Sequence, residues 1–253
     1  MGNYLNAEVL PRYPMALSLV EVEQVVGGID RTTLRVENPH LRQRLRSFPQ
    51  PVQAVVGRLA QHGFGLYALP DSPVVPAWYL LGFTHRPAMP DSANTVNALV
   101  DPAYRRTLEG LCDLMGKPFS GDPSVALLGA DGHVATEDLP LGHRYDQGSF
   151  GDDPLGQQYA TLIQQIPHSG NHTAVIDQAF AALAQRKDFV VLREQRQLYA
   201  RIAHEEIAPH ASTVHASGKY SGMKVYLMGE LIVPPAVACL RAAGLPVVAM
   251  VQR

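Results

Sequence analysis

Apolar and polar positions along the chain repeat with two different periods, and the change from one to the other marks out its elements. From Ala16 to Val26 they alternate, with Glu21 and Glu23 set against Val20 and Val22, and Thr32 to Glu37 alternates again. Alternation is the strand period, so a β-hairpin turning across Gly27 to Arg31 is expected, with a short amphipathic helix as the alternative. In Pro39 to Phe48 the i,i+4 pair Leu41 and Leu45 predicts a helix. Pro51 opens a second helix where a missing N–H costs least, and Val52, Val55, Val56 and Leu59 form its apolar stripe up to Gly63.

Two apolar runs follow, Gly65 to Leu69 and Ala77 to Thr84, separated by Pro70-Asp71-Ser72-Pro73. They read as strands, expected to pair as antiparallel neighbours. Thr95 to Met115 is helical in period, with Pro102 kinking or dividing it. Ser124 to Glu137 carries a hairpin pattern, Val125 to Leu128 and Val134 to Thr136 flanking Ala130-Asp131-Gly132.

Beyond a Gly-, Asp- and Pro-rich stretch at 139–154, helices are expected over Leu155 to Ile166, Asn171 to Lys187 and Gln195 to Ala208, with a strand at Asp188 to Arg193. Lys224 to Met228, Pro234 to Ala243 and Leu245 to Val251 read as strand, helix and strand. That order predicts a right-handed crossover between parallel strands. The expected fold class is therefore α/β or α+β, with antiparallel hairpins in the N-terminal part and a parallel strand-helix-strand unit at the C-terminus. Residues 1–253 are taken as one domain whose soft boundary lies in the loop 139–154.

Composition narrows the function classes without naming one. Formal charge is −2 and the pI is near 6.5, so no global field recruits nucleic acid or an anionic membrane. The basic residues are 17 Arg against 4 Lys, a skew in step with the abundant Ala and Pro. Cys112 and Cys239 lie in unrelated segments without ligand spacing and read as buried thiols. Neither an export signal nor a membrane-length apolar run is found, so a soluble protein with a cytoplasmic address is expected.

Motifs for nucleotide chemistry are missing: there is no GxxxxGK[ST] loop, and Gly63 and Gly65 lack the third glycine of a dinucleotide fingerprint. Tyr220 and Lys224 have the spacing of the short-chain dehydrogenase pair, but Lys224 would start a strand and the glycine loop is absent. Five of the ten histidines fall between positions 168 and 215. Of these, His204, His210 and His215 are the candidate ligands for a divalent metal, the one cofactor the sequence suggests; no nucleotide cofactor is indicated. His204 or His172 would serve as acid–base group, Glu205 as base, and Arg144, in the run His143-Arg144-Tyr145-Asp146, as an anion clamp.

His204 and His210 are six residues apart with Pro209 between them, off the shared face of an HExxH helix. Dispersed surface and capping histidines are therefore the plainer reading. Arg42, Arg44 and Arg46, and Arg193, Arg196 and Arg201, read as solvated faces without interleaved aromatics.

The leading expectation is a non-catalytic binding or assembly protein that docks a protein partner or another copy of itself. The alternative is a hydrolase or transferase on a phosphate-bearing or other anionic substrate, built from the His, Glu and Arg residues above. Nucleic-acid binding ranks third, and no membrane partner is expected.

Overall fold

The structure is a computed structural model that describes residues 17–83, 102–116, 125–137 and 193–253. Ser18 opens α1 (Leu19–Gly27): its hydroxyl accepts from the Glu21 N–H while the Glu21 carboxylate accepts from the Ser18 N–H. This reciprocal cap satisfies two donors that a helix start leaves open, and Val22 and Val26 are then buried one turn apart. The expected hairpin across Gly27 to Arg31 is thus corrected to its helical alternative, and α2 (Arg31–Leu34) follows. Asn38 caps α3 (Pro39–Leu45) by accepting from the His40 N–H. In α4 (Gln50–Gln61) Pro51 lies in the first turn and the four predicted apolar residues are all buried. Gly63, at φ +85°, then turns the chain in a conformation that side chains resist.

The strands are β1 (Phe64–Ala68), β2 (Trp78–Phe83), β3 (Val125–Leu128), β4 (Val134–Glu137), β5 (Lys224–Gly229) and β6 (Val247–Gln252). They form one six-stranded sheet in the order β1-β6-β2-β5-β3-β4. β2 is parallel to both β5 and β6, so the C-terminal strand-helix-strand unit does join parallel strands, with β2 lying between them. The expected pairing of β1 with β2 is corrected: β6 inserts between them and runs antiparallel to β1. β3 and β4 form the predicted hairpin, with Gly132 at φ +75° in its turn, and β3 runs antiparallel to β5.

Helices cover both faces. α3, α4 and α5 (Pro102–Met115) lie on the side of Tyr79, Leu81, Val225, Leu227 and Met250. On the other side, α1, α6 (Arg193–Arg201), a π-helix (Ile202–Ile207), α7 (Ala208–Ser217) and α8 (Val233–Ala242) bury Trp78, Leu80, Tyr226 and Val247. The three layers are those of a two-sided α/β protein, whose central parallel strands read as near-continuous apolar runs because both faces are covered. α5 covers the described part of the helix expected over Thr95 to Met115. Arg193, expected to end a strand, is the first residue of α6; residues 139–192, with the other elements expected there, and 95–101 lie outside the described residues. No helix among the described residues is long and apolar enough to cross a membrane.

Candidate functional site

The sequence candidates separate once the chain is folded. Arg144 and His172, with His143, Tyr145, Asp146 and His168, lie outside the described residues. Glu205 is exposed and ion-paired one helical turn away with Arg201, at 3.0 Å. His204 is half-buried, and its Nε2 lies 3.0 Å from the Leu17 carbonyl oxygen. A carbonyl only accepts, so Nε2 carries the proton and the ring tethers the start of α1 to the π-helix. His215 is exposed. Among the described residues no three His, Cys, Asp or Glu side chains are grouped to hold a metal ion.

His210 is the sequence candidate whose ring bonds another ionisable side chain. Pro209 has no N–H and its ring would strike the carbonyl four residues back in an α-helix, so the preceding turn widens into the π-helix. That carries His210 down onto the sheet, where its Nδ1 hydrogen-bonds the Tyr226 hydroxyl at 2.5 Å. The same hydroxyl lies 3.3 Å from the Ile207 carbonyl oxygen. Tyr226 stacks on Trp78 with ring centroids 4.4 Å apart and planes at 24°, and His210 stands tilted over Trp78 at 6.1 Å. Side chains alternate along a strand, so Lys224, two residues before Tyr226, opens β5 on this same face. It is 9% exposed, donates to the Tyr220 carbonyl at 3.0 Å, and has its pKa lowered by burial.

This cluster was only partly visible in the sequence. His210 was singled out, but for a metal, while Trp78 and Tyr226 were read simply as apolar strand residues. The available signals were a lysine heading the apolar run Val225 to Met228 and a lone tryptophan within another.

A second feature lies on the surface. The segment Asp71–Val75 is exposed, with Val74 42% and Val75 64% accessible. It is pinned at its base: Arg44 donates to the Pro70 and Asp71 carbonyls at 2.7 and 3.2 Å, and Arg241 to the Leu69 carbonyl at 2.7 Å. The Val74 N–H closes a three-residue turn onto the Ser72 carbonyl around Pro73, and the Ala77 N–H bonds the Pro246 carbonyl. Arg44, expected on a solvated face, thus has a structural duty, as does Arg42, which pairs with Glu37. No protein-family model, curated protein or solved structure matches the chain.

Proposed function

We propose that this chain is a docking protein whose contact loop is Asp71–Val75. The observation that supports the reading most is the pairing of two exposed valines with a base clamped by arginines on both sides. Exposed apolar side chains on a mobile loop lose entropy when they bind; on a loop already held in place, that cost is met in folding. Val74 and Val75 sit between Pro73 and Pro76, and Asp71 adds one acidic group beside them. A partner protein with a narrow apolar pocket and a basic rim is the complementary surface. His204 and Glu205, with roles in tethering α1 and in a surface ion pair, fit the same reading.

The test is site-specific photocrosslinking from position 75 in cells, paired with sedimentation of the purified protein. One dominant crosslinked protein, lost in Val74→Asp/Val75→Asp while the melting temperature holds, is the expected result. A crosslink only to another copy, with concentration-dependent mass, assigns the loop to self-assembly. A crosslink pattern unchanged by the double substitution would overturn the reading.

One observation favours a second reading, an enzyme acting on a small anionic substrate: the His210–Tyr226 hydrogen bond lies on the same face as the buried amine of Lys224. In that reading His210 takes the acid–base role first considered for His204 and His172.

A further inference from the structure

Arg35, Arg42, Arg201 and Arg253 each pair with a carboxylate, Arg35 with Glu230, Arg201 with Glu205, and Arg42 and Arg253 with Glu37. Arg44 and Arg241 are held differently. Their partners among the described residues are the neutral carbonyls of Pro70, Asp71 and Leu69, all reached through Nη2. A carbonyl fixes a guanidinium without cancelling its charge, and it leaves the Nε and Nη1 donors of both side chains for another acceptor. Both residues are exposed, and they reach the base of the loop from opposite sides, one from α3 and one from α8. Asp71 forms no ion pair with either among the described residues. Two cations against one anion leave the base of the loop positive, on a chain whose formal charge is −2.

We propose that the partner of this loop is an acidic protein segment, whose carboxylates accept from Arg44 and Arg241 while an apolar side chain between them covers Val74 and Val75. The inference rests on the docking reading and adds the sign of charge the partner must carry at the loop's base; the basic rim that meets Asp71 belongs to the tip. Two valines expose far less than the roughly 1,000 Å² that a specific interface buries, so the contact must extend to the side chains around them. Arginine and tyrosine are the types that most often carry interface energy, and the half-buried Tyr67 lies within the field of Arg241. Burial raises the Tyr67 pKa, and the Arg241 charge pulls it back. Because the carbonyls already hold both guanidiniums in place, a carboxylate that pairs with them costs little further side-chain freedom. Opposite charge at the rim then sets the orientation and speed of encounter, and the valines supply the dry centre.

The test uses the full chain with a photocrosslinker at position 75, in cell extract, and mass-spectrometric mapping of the crosslinked peptide. That peptide is expected to carry Asp or Glu on both sides of an apolar residue. Wild-type capture is expected to fall about tenfold when sodium chloride is raised from about 50 to about 500 mM. Arg44→Gln/Arg241→Gln keeps an N–H for each loop carbonyl but removes both charges, and capture should weaken about tenfold. Arg44→Lys/Arg241→Lys keeps the charges and should retain most of it; melting temperatures check that both pairs fold. Capture that ignores salt, a glutamine pair that captures like wild type, or a crosslinked peptide without Asp or Glu, in another protein or in a second copy, would overturn the proposal. Val74→Asp/Val75→Asp separates the two failures. If that pair loses capture while the glutamine pair keeps it, the loop docks and the acidic partner is refuted; if both keep it, the docking reading itself fails.

Discussion

Glu230 is fully buried where β5 ends, and the Arg35 guanidinium meets it with two parallel hydrogen bonds of 3.1 Å. A buried carboxylate that loses two charge-assisted hydrogen bonds keeps its desolvation cost, so Arg35→Met is expected to lower stability by about 2–3 kcal/mol. Chemical denaturation of the variant checks this, and a change under 0.5 kcal/mol would show that the pair is not holding α2 to the sheet. Lys224 gives a pH dependence of definite sign. Its folded pKa lies below the ordinary 10.5, so between those values the unfolded chain binds the proton that the folded chain has lost. Stability of the wild type relative to Lys224→Met should therefore rise with pH across that window. The comparison must be made as a difference, because burial raises the Cys239 thiol and the Tyr79 phenol to about 12 and both act in the opposite sense at high pH. A difference that stays flat from neutral pH to 10.5 would contradict the burial of the amine.

At the scale of elements, Gly82 shows how closely the layers approach. A Cβ there would lie 2.6 Å from Val233 Cγ2 and 3.2 Å from the Glu230 Cα, so β2 can pass under the start of α8 only without a side chain. Gly82→Ala is expected to cost about 1–3 kcal/mol through overpacking, measurable by thermal melting followed at Trp78. Elements whose signals are local were the legible ones. The Val52 to Leu59 stripe with Pro51 gave α4, and Ala130-Asp131-Gly132 between apolar runs marked the β3–β4 hairpin. The first segment misled because alternating valine and glutamate follow the strand period, while the Ser18–Glu21 capping box, a four-residue pattern, specifies a helix. The π-helix also has a sequence cause in Pro209, yet its consequence, seating His210 against Tyr226, depends on the sheet beneath it.

For the whole molecule, what could not be read was the strand order. β6 separates β1 from β2 because a C-terminal apolar strand fills the position between two segments that are close in sequence, and no local pattern encodes that choice. The candidate sites were hidden for the same reason. Trp78, His210 and Tyr226 come from three stretches of chain and meet only through strand register and helix packing. The clamp on Asp71–Val75 uses Arg44 from α3 and Arg241 from α8, on opposite faces of the sheet. The fold thereby converts a turn that looked like a simple connector into a rigid, exposed feature. The most direct test of that conversion compares partner capture by Val74→Asp/Val75→Asp and by Glu205→Gln/His215→Gln, with the crosslinked partner as readout. Both pairs are surface changes expected to leave stability within about 0.5 kcal/mol. Capture lost only in the valine pair is the expected result; capture kept by the valine pair and lost in the Glu205 and His215 pair would contradict it.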